Sequence, residues 1–219
     1  FDCLIAIWGA DHFGHIPRLQ AALEALGYKE RLKVLLYQPV QVKKGGEIVP
    51  MAKRKGTYLT ADEILDLVDP DVFKGYLLQK TMNSPLIFDL KVYEEESKKS
   101  PVFYLKYMSA RIHGILRKTK RDEAEPRYDL FQEAEWELIK RISFVAYKLR
   151  KTAELLEPHF IYEEAQKFAR AFHLFYEKAP IKQEKNLQLR CARLDLLEAS
   201  LITAQTLAEV LNIELPERL

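Results

Sequence analysis

The chain has 219 residues, 48% of them hydrophobic and 30% charged, and a formal net charge of +2. That is ample for one large or two modest cores, and too balanced for composition alone to announce a nucleic-acid binder, so any basic footprint has to be local. The two cysteines, Cys3 and Cys191, fit no disulfide framework or metal spacing; no apolar run approaches the roughly 20 residues that span a bilayer, and no signal-peptide pattern is present, so the cytoplasm is the expected compartment and no membrane partner is expected.

From the first residue the pattern is that of a strand. Leu4 to Trp8 is a short apolar run of the kind a buried parallel strand shows, and a chain that opens in mid-strand without an initiator methionine is expected to be a piece of something longer. The run enters Gly9-Ala10-Asp11-His12-Phe13-Gly14-His15, a loop with two glycines, an acid and two histidines. Pro17 opens a helix where its missing N–H costs nothing; Leu19, Ala22, Leu23 and Leu26 form its apolar face and Gly27 ends it. Val34 to Val42 is the next extended stretch, Gly45-Gly46 a tight turn, and Ile48-Val49 its return. Strand, glycine-containing loop, helix and strand make half of a Rossmann-type, doubly wound sheet. Ligands of such sheets sit at the carboxyl ends of the strands, which makes Gly9 to His15 a candidate site.

A basic loop, Pro50-Met51-Ala52-Lys53-Arg54-Lys55-Gly56-Thr57, follows, and then the capping-box sequence Thr60-Ala61-Asp62-Glu63. Ile64, Leu65 and Val68 continue at helical spacing, Pro70 breaks that helix, and Val72, Phe73, Tyr76 and Leu77 belong to another. Asn83-Ser84-Pro85 is a turn and Ile87 to Leu90 a short extended segment. From Lys91 the pattern is helical nearly throughout, with breaks near Ser100-Pro101, Asp122 to Pro126, Glu157-Pro158 and Ala179 to Gln183. Two domains are expected, residues 1–85 as α/β and 86–219 as all-α.

Three constellations can carry chemistry. Lys53, Arg54 and Lys55 are adjacent cations before a glycine that permits close backbone approach, suited to stabilising negative charge on transferring phosphates; a solvated basic turn is the plainer alternative. In the Gly9 to His15 loop, Asp11 can accept from ribose hydroxyls and His12 and His15 can meet a substrate, or all three can be satisfied locally. The two histidines have no third ligand nearby, so no metal site is expected. On the helix after Pro101, Leu105, Met108, Ile112 and Ile115 make a core stripe, while Tyr104, Tyr107, Arg111 and Lys118 share another face. Rings beside cations suit single-stranded RNA, and Arg117 to Arg121 concentrates positive charge there; an ordinary amphipathic bundle helix is the alternative. Phe172 to Tyr176 reads as core, with one ring to spare.

In order, these segments resemble the carboxy-terminal part of arginyl-tRNA synthetase, a class I aminoacyl-tRNA synthetase. Trp8 to Leu19 resembles the WGADHxGxxPRL sequence of bacterial arginyl enzymes, Met51 to Thr57 their KMSKS loop, Pro101 to Arg111 the NPVYYVQYAHAR helix of the anticodon-binding domain, and Leu211 to Leu219 the LGI-x-x-PER-M ending. The resemblance covers the whole chain and sets it apart from the related cysteinyl enzyme, which lacks the WGADH loop and PER ending.

The resemblance implies activation of arginine with ATP, accompanied by Mg2+, and transfer of arginine to tRNA(Arg). It implies that Gly9, Asp11, His12, His15 and Met51 line the ATP and arginine site, that Lys53 and Arg54 act on the phosphates, and that a DALR-type helical domain reads the anticodon through Tyr104, Tyr107, Arg111 and Lys118. A monomer is what the family implies. Pro50, Ala52 and Arg54 replace a lysine and two serines of KMSKS, and Ser100, Lys106 and Ser109 an asparagine, a glutamine and a histidine of the anticodon helix. The HIGH motif is not in this chain, so catalysis is expected only with a further half-domain; a stand-alone RNA-binding remnant is the alternative.

Overall fold

The computed structural model describes residues 2–49, 59–91, 93 and 100–218, so the basic loop containing Met51, Lys53 and Arg54 lies outside the described residues. The chain forms two compact units, Phe1–Asp66 with Lys80–Glu94, and Leu67–Gln79 with Glu95–Leu219. The expected 85/86 boundary therefore falls within the second segment of the first unit. The class is the expected one: an α/β unit and an all-α unit.

In the first unit, β1 (Leu4–Gly9) leads through a 3-10 turn (Ala10–His15) into α1 (Ile16–Ala25) and back to β2 (Leu32–Tyr37). β1 and β2 pair in parallel, from Leu4 opposite Leu32 to Gly9 opposite Tyr37. The expected loop after β1 is thus a tight helical turn running straight into α1. Gly27, at φ +82°, ends α1: its N–H donates to the Glu24 carbonyl at 3.0 Å and that of Tyr28 to Leu23 at 2.8 Å, the paired bonds of a Schellman cap. Parallel strands are normally covered on both faces, yet within this chain Ile5 and Ile7 are 50% and 62% exposed.

The single extended stretch expected over Val34 to Val42 is corrected to two strands in two sheets. Pro39 has no N–H to continue a ladder, and the Gln38 N–H leaves β2 for the Met82 carbonyl at 2.9 Å. β3 (Val40–Lys44) then pairs antiparallel with β4 (Glu47–Ile48) and parallel with β5 (Leu86–Asp89). Gly45 and Gly46, at φ +62° and +91°, make the two-residue hairpin turn that needs positive φ at both positions. Val42 lies opposite Phe88 in the register, and both are buried. In α2 (Ala61–Leu65) the capping box forms as expected, with the Glu63 N–H donating to Thr60 Oγ1 at 3.1 Å and the Thr60 N–H to Glu63 Oε2 at 2.7 Å. That helix stops at Leu65, short of the Val68 that the spacing included.

The second unit is built from α3 (Pro70–Leu78), α4 (Pro101–Lys118), α5 (Glu133–Leu155), α6 (His159–Lys178) and α7 (Leu187–Leu211). Pro70 opens α3, with the Asp69 carboxylate accepting from the Asp71 and Val72 N–H groups. Met108, Ile112, Leu138, Phe168, Phe172 and Leu197 are among the fully buried side chains of the common core. α7 ends at Asn212, in the left-handed region at φ +53°, and the Ile213 N–H returns to the Ala208 carbonyl at 2.8 Å. Asp71 fixes the tail beyond: its carboxylate pairs with Lys74 at 2.8 Å and Lys106 at 2.6 Å and accepts the Glu214 N–H at 3.2 Å.

Candidate nucleic-acid interface

Helix α4 supplies the backbone of the site. Ser100 caps it by accepting the Phe103 N–H at 3.1 Å, and Pro101 takes the first-turn position. Leu105, Met108, Ile112 and Ile115 are all buried, so the core stripe holds α4 in one rotation and turns Tyr104, Tyr107 and Arg111 outward. Here they meet α6. Arg111 donates to the Tyr107 hydroxyl from Nε at 2.6 Å and to the Tyr176 hydroxyl from Nη1 at 2.9 Å. Its guanidinium carbon also stands 4.8 Å and 5.0 Å from the centroids of those same rings.

The aromatic face extends past this arginine. Tyr107 stacks on His173 at 5.4 Å and 28° and on Phe103 at 6.5 Å and 16°, while Tyr104 meets His173 edge-on at 5.2 Å. The hydrogen bond to Tyr107 raises the pKa of Arg111 against the opposing effect of burial, so the cation is permanent. Burial pushes the His173 imidazole down, with Arg111 acting in the same sense and Glu177 against it. His173 Nε2 is buried and has no hydrogen-bond partner among the described residues. The face thus offers one fixed cation, a largely neutral imidazole and exposed ring surface, a combination that stacks bases and attracts phosphate.

Two cavities flank Arg111. The larger, about 630 Å³, is lined by Arg111, Lys118, Tyr176, Pro180, Lys182 and Gln183 among others. The smaller, about 400 Å³, is lined by Tyr107, Ala110, Arg111, Arg117, Glu217 and Arg218. The tail reaches the second cavity because Arg117 pairs with the Glu217 carboxylate at 3.8 Å and donates to its carbonyl at 3.4 Å. Behind the wall of the larger cavity, Arg193 bonds Glu135 and Glu184, each at 2.8 Å, and the Pro180 carbonyl at 3.4 Å.

The structure therefore brings together Tyr104, Tyr107, Arg111 and Lys118. It adds partners that the spacing did not single out as part of the site: His173, Tyr176, Lys182 and the tail residues. Phe172 and Phe175 are core, as read, but His173 and Tyr176, three residues apart on α6, turn toward α4. That spacing was the available signal.

The other expected site residues sit in the first unit, at the carboxyl end of β1. Gly9 lies against the Asp11 side chain: a Cβ there would sit 2.5 Å from Asp11 Oδ1, a contact the exposed carboxylate could relieve by rotating. The Asp11 carboxylate is 3.7 Å from His12 Nε2, and the His12 and His15 rings are 5.6 Å apart. All three side chains are exposed. Among the described residues no cluster of three or more His, Cys, Asp or Glu is placed to hold a metal ion, and no helix is long and apolar enough to cross a membrane.

Comparison with known proteins adds a family to this geometry. The DALR anticodon binding domain model matches residues 105–219. The whole chain is 39% identical to an arginine–tRNA ligase of Moorella thermoacetica, covering 40% of that protein. A Campylobacter jejuni structure described as a candidate arginyl-tRNA synthetase superposes with a TM-score of 0.84 at 28% identity, over 99% of this chain and 48% of its own. Thermus thermophilus arginyl-tRNA synthetase shares the fold with a TM-score of 0.79 at 19% identity, over 100% of this chain and 41% of its own. The chain spans about 40% of the length of the curated relatives it matches.

Proposed function

We propose that this chain, which belongs to the DALR anticodon-binding domain family, is part of an arginyl-tRNA synthetase and contributes the anticodon-reading surface of that enzyme. The observation that carries the reading is the α4–α6 face: Arg111 held between Tyr107 and Tyr176, with Lys118 and Lys182 on the cavity beside it. Rings of that kind stack splayed bases while cations meet the phosphates between them.

In the first unit, Gly9, Asp11, His12 and His15 lie where a nucleotide and its amino acid bind at the carboxyl end of a parallel strand. Met51, Lys53 and Arg54 belong to the KMSKS-like loop, whose cations neutralise charge on the phosphates of ATP as pyrophosphate departs. Mg2+ accompanies ATP as its counter-ion. The apolar surface left open on Ile5 and Ile7 is complementary to the further half-domain that such an enzyme needs. The enzyme acts as a monomer in the cytoplasm on arginine, ATP and tRNA(Arg).

Filter binding of the chain to a tRNA(Arg) transcript tests the interface. Affinity should fall with salt and with substitution of the anticodon. Equal affinity for every tRNA sinks the anticodon-reading role. In the full-length protein, Lys53→Ala should slow arginine-dependent ATP–pyrophosphate exchange more than it weakens tRNA binding. Full-length protein that binds tRNA(Arg) but shows no exchange would instead identify an RNA-binding module with a lapsed loop, in keeping with Pro50 and Ala52 where KMSKS has lysine and serine.

A further inference from the structure

The outer face of α5 is not used by the site above. Trp136, Lys140, Phe144, Tyr147, Lys151 and Leu155 recur at steps of three and four residues, so they line one side of the helix. The three rings are large and open to water: Trp136 is 52%, Phe144 40% and Tyr147 57% exposed. Between Leu138 and Ala153 the cations are Lys140, Arg141, Lys148, Arg150 and Lys151, and no acid occurs.

Cations and rings are interleaved there in space as well as in sequence. The Arg141 guanidinium stands 5.6 Å from the Phe144 centroid, and Phe144 meets Tyr147 edge-on at 6.4 Å. From α6, Phe160 lies under two ammonium groups at once, Lys151 at 4.1 Å and Lys148 at 5.5 Å. Three of the nearby carboxylates serve other groups, and Glu154, one turn beyond Arg150 and Lys151, has no ion pair among the described residues. Glu137 pairs with Arg141 at 2.9 Å and Lys140 at 3.7 Å, Glu164 with Arg141 at 3.5 Å, and Glu157 with His159 at 3.2 Å. Among the described residues no carboxylate pairs with Lys148, Arg150 or Lys151. A second copy offering the same face would set these cations against their own kind, and an acidic peptide would leave the exposed rings without a use. A chain that carries both phosphates and flat bases uses both features.

We propose that this α5 face is a second RNA-binding surface, on which unpaired bases stack against Phe144 and Tyr147 while Lys148, Arg150 and Lys151 hold the phosphates. The inference rests on the reading that this chain binds tRNA, and it places a second contact with that RNA on a helix face separate from the Arg111 cluster.

The test measures binding of the full chain to a tRNA(Arg) transcript and to a 12-nucleotide oligouridylate across a salt series. Phe144→Ala with Tyr147→Ala should weaken binding about a hundredfold, since each stacked base lost is worth about a factor of ten. Lys148→Gln with Lys151→Gln should flatten the slope of log affinity against log salt by about 1.4, for two phosphate contacts to a single strand. Tyr147→Trp, which keeps a ring, should retain binding that Tyr147→Ala loses. Unchanged affinity and slope in both double variants, with Arg111→Ala still weakening binding, overturns the α5 surface and leaves the α4 reading standing. Loss in the α5 variants with none in Arg111→Ala supports the α5 surface and overturns the other. Concentration-dependent dimerisation by sedimentation, abolished by the α5 variants without loss of RNA affinity, also overturns it.

Discussion

Arg193 on α7 holds the carboxylate of Glu135, in the first turn of α5, in an ion pair at 2.8 Å with both side chains buried. The same guanidinium reaches Glu184 at 2.8 Å and the Pro180 carbonyl at 3.4 Å, so one side chain joins a core pair to the loop that walls the larger cavity. A buried pair adds little over apolar residues of the same size, but removing one partner leaves a charge without compensation, at a cost of about 3–5 kcal/mol. Arg193→Met should lower the unfolding free energy in urea by about that amount. Adding Glu135→Met should recover part of it. Equal or additive losses in the single and double variants would show that the cost is not the stranded carboxylate.

Gly75 on α3 sets two opposing effects against each other. Replacing a helical glycine by alanine ordinarily stabilises by about 1 kcal/mol. Here the new Cβ would lie 2.6 Å from Val102 Cγ2 and 3.1 Å from Tyr162 Cε2, and both side chains are buried. Overpacking of that kind costs about 1–3 kcal/mol, so steric conflict should win and Gly75→Ala should lower the melting temperature. Val102→Ala in the same chain should relieve most of the additional loss. A Gly75→Ala protein more stable than the parent would mean that α3 can shift away from α4.

How much could be read beforehand follows from which forces act locally. Caps and turns were legible at Thr60 with Glu63, at Gly27 and at Gly45-Gly46, because each depends on a few consecutive residues. The core stripe from Leu105 to Ile115 was legible because helical period and burial coincide. Pro39, by contrast, divided an apparently continuous extended stretch, and where the Gln38 N–H went depended on Met82, far along the chain. In the site, Tyr107 and Arg111 were readable as one helical face. Their joining by His173 and Tyr176 was not, since it needs the packing of α6 on α4. The Arg193 network was equally hidden: Glu135, Glu184 and Arg193 have no meaning as a triad until α5 and α7 are side by side.

Acid should loosen the carboxy-terminal tail through Asp71. Burial pushes this carboxyl up, but hydrogen bonds from Lys106, Lys74 and the Glu214 N–H outweigh it and hold it below the ordinary value of 3.8. A carboxylate depressed in the folded state contributes stability that is present above the unfolded-state value and is lost as pH falls through the folded one. The contribution should therefore be whole above about pH 5 and decline below pH 4. The protection factor of the Glu214 amide, its exchange rate corrected for the intrinsic pH dependence, should fall over that range, and Asp71→Asn should lower it already at neutral pH and flatten its acid dependence. A Glu214 protection factor that ignores both pH and the substitution would show that the tail is held by its other contacts, such as Arg117 with Glu217 and the packing of Ile213.

Arg111 is engaged as a planar fork rather than as a point charge, because it spans two tyrosine hydroxyls and two ring faces. The hydroxyls accept from the guanidinium, which leaves their own O–H groups to donate elsewhere. A lysine keeps the charge but cannot bridge both rings. A guanidinium can also meet a phosphate through two N–H groups where an ammonium makes a point contact; losing one hydrogen bond to a charged group costs about 1.5–3 kcal/mol, so Arg111→Lys should weaken binding of a labelled anticodon stem-loop roughly 10- to 100-fold, nearly as much as Arg111→Ala. Tyr107→Phe retains the ring that stacks on His173 and loses only the acceptor, so its effect should be several-fold smaller. Fluorescence anisotropy at fixed salt separates the three. A lysine variant that binds like the parent would mean that charge alone operates at this position, and that the bridge between Tyr107 and Tyr176 has no part in RNA binding.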